Sequence, residues 1–178
     1  MAARSPAPEP LATVERFINS LDLEDGPEQL PDPDSLGAWL VDAGLLERGT
    51  AVGPDDHERA VTLREALRDV LSGDDAALAH VNAAGERAGL HPLLRPGGAS
   101  ALEPTAGGVD GALGRLVAIV HAAIADGTWA HMKACEREPC RWAFYDHSKN
   151  HSGRWCDMEA CGAREKSARA YRRRRARA

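Results

Sequence analysis

The final 54 residues of this chain offer almost nothing from which to build a hydrophobic core. After Ile124 the sequence contains no leucine, isoleucine or valine, yet six of the eight aromatic residues and all four cysteines lie there. A segment of that size without aliphatic side chains buries too little apolar surface to fold unaided, and it needs a metal ion or disulfides. We therefore expect two parts, residues 10–127 and 129–178, with a boundary near Gly127 and Thr128.

Charge divides the chain at the same place. Residues 1–128 carry 9 basic and 21 acidic side chains, whereas residues 129–178 carry 13 basic and 6 acidic ones. The basic excess lies wholly in the last 17 residues, so a net charge of only −5 conceals an acidic body and a basic tail. The tail is the segment most suited to an anionic partner.

The residues before the boundary predict a mainly helical domain. The chain contains 32 alanines, and its apolar residues recur at helical spacing. They predict helices over residues 11–21, 36–43, 54–71, 74–88 and 109–125, while residues 91–104, with Pro-Gly-Gly at their centre, predict a short β-hairpin. Residues 1–9 are expected to be disordered. The expected fold class is α+β, mainly helical, with a helical N-terminal domain that contains this short hairpin.

The sequence also indicates where the protein acts and what it does not do. The longest apolar run, residues 116–125, is interrupted by His121 and is about half the length that crosses a bilayer. The start, MAARSPAPEP, lacks the hydrophobic stretch of a secretory signal. We expect a cytoplasmic, nucleoid-associated protein with reduced thiols and no membrane partner. The body shows no catalytic pattern, so we expect no enzymatic activity.

The four cysteines form a pattern typical of a metal site. Their spacing is C-x4-C-x15-C-x4-C, which comprises Cys135, Cys140, Cys156 and Cys161. Each close pair bends the chain so that two thiolates point at one ion, and four soft thiolates favour tetrahedral Zn²⁺. Because the protein would fill every coordination position, this site is predicted to be structural and not catalytic.

Other uses of these cysteines remain open. An iron–sulfur cluster is a further metal site, although such clusters usually have other spacings. Two disulfides would require an oxidising compartment, and a redox pair would normally be C-x-x-C. His147 and His151 have the spacing of a Cys2His2 finger, but only six residues separate Cys140 from His147, which is too few for a hairpin and a helix. We favour four-thiolate zinc.

The spacing also predicts the shape of the module. CEREPC reads as a knuckle turn containing Pro139, and residues 141–155 read as a hairpin with a polar turn at residues 148–153. Good helix formers follow Cys161, so the last ligand is expected in the first turn of a helix. Knuckle, hairpin and helix in this order make a treble clef, in which the metal supplies the folding energy. Trp142, Phe144 and Trp155 are expected to pack over the metal.

The predicted C-terminal helix carries the functional signal. Eight cations face one anion, Glu165, over its length, and a basic ridge of this kind suits the phosphates of DNA. The predicted phosphate contacts are Arg164, Lys166, Arg169, Arg172 and Arg173, with Lys149 and Arg154 beside them. A disordered basic tail, or docking of the tail onto the acidic body, is the simpler alternative. RNA binding and a platform for protein interaction are the other two functions considered.

Residues 135–175 resemble the CGNR zinc-finger family. The shared features are the paired cysteines, the aromatic-Asp-x-Ser element ending at Ser148, the Arg-Trp-Cys-x-Met element around Cys156, the Cys-Gly-x-Arg motif and the basic tail around Tyr171. The body is similar to the ABATE domain through its FINSLD and LREALRDVL segments. The resemblance implies a treble-clef zinc module, DNA binding, and a bacterial stress-responsive regulator whose ABATE part senses an effector or forms a homodimer. Ala163 stands where the family has asparagine.

Overall fold

The computed structural model describes residues 4–24 and 26–175. The body contains five helices and one hairpin: α1 (Leu11–Ile18), α2 (Pro33–Asp42), α3 (Pro54–Leu71), α4 (Leu78–Arg87), β1 (His91–Leu94), β2 (Ser100–Glu103) and α5 (Gly108–Asp126). The module that follows, residues 128–175, contains β3 (Met132–Ala134), β4 (Ala143–Tyr145) and α6 (Ala163–Arg175). Two small antiparallel sheets among six helices confirm the predicted fold class, mainly helical α+β.

Local side-chain chemistry sets where the helices begin and end. The Asp32 carboxylate accepts a 2.8 Å bond from the N–H of Ser35 and caps α2. At the start of α3 the bond runs the other way, since the carboxylate of Asp56 in the first turn accepts the N–H of Gly53, the residue before the helix, at 2.8 Å. The long helix α5 ends at Gly127, whose φ of +84° is the left-handed conformation that glycine adopts without strain.

Two helices are shorter than predicted. The first ends at Ile18 and not near Leu21, because the hydroxyl of Ser20 donates to the carbonyl of Phe17 at 2.8 Å and turns the chain. The fourth begins at Leu78, after a 3-10 turn that Asp74 caps through the N–H of Ala76. Ser20 and Asp74, which set these two boundaries, do not interrupt the spacing of the apolar residues. A prediction from that spacing alone therefore makes both helices too long.

One hydrophobic core runs through the body and into the module. Its fully buried side chains include Phe17, Leu40, Leu67 and Leu116. The same cluster also contains residues from the module's hairpin, namely Met132, Ala143 and Tyr145. The change in composition near residue 128 therefore marks no break in this core, and β3 and β4 fold against the body.

Helix α5 lies at the centre of this packing. A side-chain carbon added at Gly114 would come within 2.3 Å of the Ala88 Cβ, so the glycine permits close approach of α5 to the end of α4. By length and composition α5 could also cross a membrane, although 44% of its most apolar window is buried inside the protein. Its contacts with α1, α3 and α4 are those of a core helix.

The hairpin of the module is formed by residues other than those predicted. Strand β4 pairs with β3, with Met132 opposite Tyr145 and Ala134 opposite Ala143. Residues 148–153, predicted as the turn of a hairpin within 141–155, belong instead to a loop around Asp146. The prediction was wrong because the aromatic alternation marks one strand but does not reveal on which side of it the partner lies.

Residues 4–9, within the segment predicted to be disordered, form no helix or strand but make specific contacts. Ala7 is buried, and its N–H donates to the Glu15 carboxylate at 2.7 Å. The guanidinium of Arg4 lies 3.3 Å from the Asp146 carboxylate and 4.5 Å from the centre of the Phe144 ring. The N-terminal segment therefore covers part of the C-terminal module.

Candidate metal centre

The first cysteine pair is placed by the β3–β4 hairpin. Cys135 directly follows β3, and its N–H donates to the carbonyl of Trp142 at 2.9 Å, which extends the strand pairing by one step. Cys140 lies on the returning limb, before Arg141, whose φ of +45° turns the chain back towards β4. Both thiols are buried at the same end of this hairpin.

The second pair is placed by the start of the C-terminal helix. Cys156 precedes, and Cys161 lies within, a single π-helical turn at Met158–Gly162 that leads directly into α6. The carboxylate of Asp157 accepts the N–H groups of Glu159 and Ala160, both at 2.7 Å, and so caps this turn. The last thiol is therefore rigidly connected to α6, as the sequence predicted.

The four sulfur atoms lie close enough together to bind one metal ion. All lie within 4.8 Å of one another, and the Cys140–Cys156 and Cys156–Cys161 sulfur distances are 3.7 Å and 3.6 Å. Zn–S bonds of about 2.3 Å in a tetrahedral site place the sulfur atoms about 3.8 Å apart. The thiols are free and their separations are much longer than a disulfide bond of about 2.05 Å. The arrangement fits a tetrahedral ion such as Zn²⁺.

The histidines of the alternative site point elsewhere. His147 Nε2 lies 3.1 Å from the carbonyl oxygens of Ser5 and Pro6, and His151 Nδ1 lies 3.2 Å from that of Asp146. Within residues 4–24 and 26–175, the four cysteines are the one group of three or more potential ligands close enough to share an ion. The Cys2His2 arrangement is therefore not formed.

The thiols perturb one another's pKa values because their sulfur atoms are close together and three of them are buried. Hydrogen bonds from Cys140 and Cys156 lower the pKa of Cys135, which becomes the thiolate of the group. The hydrogen bond to Cys135 raises the pKa of Cys140, and also that of Cys156, far above ordinary thiol values. One anion thus suppresses ionisation of its neighbours, and a cation at the centre removes that repulsion.

Two of the three aromatic side chains predicted over the metal do pack there. Trp142 and Trp155 lie against the buried cysteines and shield them from water. The ring of Phe144 is also buried, but it is covered by the Arg4 guanidinium and lies outside this cluster. The module therefore contains a small second core made of sulfur and indole in place of aliphatic side chains.

Polar contacts join the knuckle to the body. The side chain of Asn19 forms a reciprocal pair with the backbone of Ala143, accepting its N–H at 2.9 Å and donating to its carbonyl at 2.8 Å. Arg68, fully buried on α3, donates to the carbonyls of Ile18 at 2.6 Å and Arg141 at 3.3 Å. Burial lowers the pKa of this guanidinium. The chain just after Cys140 is thereby held on α1 and α3.

Glu24 of the body contacts the module on both sides of the cysteines. Its carboxylate forms a two-pronged ion pair with Arg137 in the knuckle and a 2.7 Å pair with Arg164 at the start of α6. The hydrogen bond from Arg137 lowers the pKa of Glu24. One acidic side chain therefore links the body, the knuckle and the basic helix.

The loop between the cysteine pairs is organised by the buried carboxylate of Asp146. It accepts hydrogen bonds from the Lys133 amine at 2.8 Å and from the N–H groups of Ser148 and Gly153 at 3.1 Å and 2.7 Å. Burial raises the pKa of Asp146, but these donors outweigh it and hold the pKa well below its usual range. Gly153 is required because a Cβ there would approach both carboxylate oxygens to 2.8 Å.

The predicted phosphate contacts are all exposed, but they differ in their partners. Arg164 pairs with Glu24, Arg154 with Glu136, and Arg169 and Arg172 with Glu165, at 3.6 Å and 2.8 Å. Within the described part of the chain, no ion pair involves the remaining three residues, Lys149, Lys166 and Arg173. Arg177, one of the eight cations counted in the sequence of the basic tail, lies outside the described residues. Helix α6 itself has no buried residue.

The residues that join the module to the body carry no motif in the sequence. Asn19, Glu24 and Arg68 are separated from their partners by about 70 to 140 positions, so no local pattern reveals them. A signal existed for the buried arginines, since Arg64 and Arg68 are four residues apart and border the Leu63–Leu67 stripe of α3. A charge at the edge of an apolar stripe indicates a buried, paired group.

Comparison with protein families agrees with this layout. Residues 131–175 match the CGNR zinc finger, and residues 11–127 match the ABATE family, described as "putative stress-induced transcription regulator". No curated protein matches the chain. The ABATE match spans well over half of the chain and covers all five helices of the body, whereas the CGNR match covers the knuckle, the four cysteines and α6. The chain belongs to the ABATE family and carries a C-terminal CGNR zinc finger.

Proposed function

We propose that this chain is a zinc-dependent, DNA-binding regulator of transcription. One Zn²⁺ is held by the four cysteines, and duplex DNA binds along α6. The observation that carries the proposal is the continuity of the sulfur cluster with α6, an exposed helix with seven cations and one anion. A helix that is fixed at one end and charged along its length can present several cations to neighbouring phosphates at once.

The zinc ion has a structural role in this proposal. When bound, it supplies the cohesion that the module lacks in aliphatic side chains. The protein aligns the thiols through the β3–β4 hairpin and the turn capped by Asp157, and Trp142 and Trp155 exclude water from them. All four positions of a tetrahedral ion are taken by sulfur, so we propose no catalytic activity.

The face of α6 that binds DNA is the one opposite Arg164. Arg164 is directed to Glu24 of the body, whereas Lys166 and Arg173 are seven residues apart and share an exposed face, with Arg169 between them. Ala163 is exposed in the first turn. The Asp157 carboxylate caps the turn that leads into α6, so the start of the helix does not depend on the side chain at position 163. Replacement of the family asparagine by Ala163 therefore only removes a side-chain amide that could contact DNA.

The surroundings of α6 support this orientation. Lys149 is exposed in the loop that follows the buried Asp146. The guanidinium of Arg154 lies 5.1 Å from the centre of the Trp155 ring and also pairs with Glu136. The net charge of −12 on residues 1–128 repels DNA from the body and restricts phosphates to the module. DNA binding also agrees with an action in the bacterial cytoplasm, which we propose as the location.

The test is a salt titration of binding to duplex DNA by fluorescence anisotropy. Zinc-loaded protein is compared with Lys166→Ala/Arg173→Ala, and with Arg48→Ala/Arg87→Ala, which removes two exposed cations from the body. Loss of two phosphate contacts reduces the slope of log K against log salt by about 1.8. The body variant should keep the slope of the unmodified protein, and chelation of zinc should abolish tight binding.

Three results would contradict the proposal in different ways. An equal slope for the two double variants would mean that α6 behaves as an undirected basic tail. Tighter binding of single-stranded RNA than of duplex DNA in the same assay would assign the module to RNA. Affinity that survives chelation unchanged would separate nucleic-acid binding from the metal.

A further inference from the structure

An apolar groove on the body lies between α5 and the β1–β2 hairpin. It has a volume of about 720 Å³, and most of its lining is apolar. The floor is one face of α5, formed by Ala118, Ile119 and Ala122, and one wall is formed by Pro92 and Leu102 of the hairpin. Although α5 is as apolar as a membrane span, less than half of its most apolar window is buried. The protein thus leaves an apolar helix face without a partner among its described residues.

The apolar surface continues from the groove onto the hairpin. Pro92 pairs with Leu102, and Leu94 pairs with Ser100, so these four side chains lie on one face of the hairpin. Pro92, Ser100 and Leu102 line the groove, whereas Leu94 extends beyond it and is 82% exposed. A partner that covers the groove would therefore also cover Leu94. Isolated two-stranded hairpins are only marginally stable, so such a cover would stabilise this one.

Charges at the two ends of the α5 face make it complementary to itself. Arg115 and Asp126 both line the groove and are eleven residues apart, which is three turns and about 16 Å along one side of a helix. Each is held in place locally, since Arg115 donates to the carbonyl of Leu45 at 2.8 Å and Asp126 accepts from the N–H of Thr128 at 2.8 Å. Each group keeps further hydrogen-bonding capacity for a second partner.

We propose that a second copy of this chain covers the groove, with two α5 helices packed antiparallel about a twofold axis. The axis passes near the middle of the 115–126 face, so that Arg115 of each copy meets Asp126 of the other. Small side chains at Ala118, Ala122 and Ala125 allow the two helix backbones to approach closely. A twofold interface requires one surface that is complementary to itself, and this face has that property. The proposal does not depend on DNA binding.

Sedimentation velocity of the zinc-loaded full chain tests the proposal over about 1–200 µM. The unmodified protein should form a dimer of twice 19.0 kDa. Arg115→Glu and Asp126→Arg each place like charges together at both ends, and each should weaken the dimer about tenfold or more. The double variant Arg115→Glu/Asp126→Arg restores opposite charges and should recover most of the affinity. Arg48→Glu, a reversal of an exposed charge on the body, should have no effect.

Ala122→Arg provides a second test that does not perturb folding, because Ala122 is exposed in the single chain. It should give a monomer with an unchanged circular dichroism spectrum. A chain that remains at 19.0 kDa at 200 µM, or a double variant that associates no better than the single ones, overturns the proposal. Since DNA is absent from these measurements, their failure would leave the proposed function untouched.

Discussion

Removal of the metal should melt one helix and leave the rest of the chain folded. Helix α6 has no buried residue, carries seven cations, and is attached through the turn that holds Cys161 and through Arg164. A helix of 13 residues is marginal by itself, and mutual repulsion of its cations weakens it further. The β3–β4 hairpin, in contrast, stays bonded to Asn19 and buried in the core of the body.

The size of the effect follows from the lengths of the helices. Helix α6 contributes 13 of the 78 residues in the six α-helices of the described chain. Chelation, or the variant Cys156→Ser, should therefore reduce the circular dichroism signal at 222 nm by about one sixth. Ser167→Ala, on the exposed side of α6, serves as the control and should keep the full signal.

Hydrogen exchange should show which residues lose their helical structure when the metal is removed. Amides of residues 158–175 should become unprotected without metal, whereas those of β3 and β4 should keep their protection. Loss of more than half of the signal at 222 nm would show that the metal holds the body as well. A signal unchanged by metal removal would show that the cysteines do not stabilise α6.

Two further predictions concern the contacts that orient the module. Asn19→Ala leaves the buried N–H and carbonyl of Ala143 without partners and should lower the free energy of unfolding by about 2–3 kcal/mol in a urea titration, while Asn82→Ala, on an exposed surface, should change it little; equal stability of the two variants would refute the role of Asn19. Because the folded pKa of Asp146 is depressed, its carboxylate stabilises the protein above the unfolded pKa of about 3.8 and loses this effect as the pH falls below it. The difference in unfolding free energy between the unmodified protein and Asp146→Asn should therefore be largest near pH 6 and shrink towards pH 3, and a difference independent of pH would contradict this account.

Much of the fold was predictable because it depends on local patterns. The starts of α3 and α5 and the first hairpin follow from proline, glycine and apolar spacing, and the clustering of Cys135, Cys140, Cys156 and Cys161 follows from their paired spacing. The exposed basic helix follows from composition and from its position after the last cysteine.

The remaining features depend on contacts between distant parts of the sequence. The partner of β4 could not be identified because an aromatic strand can pair on either edge. The docking of the knuckle depends on Asn19, Glu24 and Arg68, and the first two look like ordinary surface residues until their partners are known. The contact of Arg4 with Asp146 joins residues 142 positions apart, and nothing in the N-terminal segment indicates it.

The shared core has a consequence for how such fingers can be exchanged between proteins. A finger grafted from another chain at residue 128 would bring its own cysteines but would meet Asn19 and Arg68 of a host to which it is not matched. Only a graft that also carries the matching residues of α3 and of the end of α1 would reproduce the hydrogen bonds that hold the knuckle on the body. Recombination at the apparent boundary of this protein should thus be far less tolerated than its abrupt change in composition suggests.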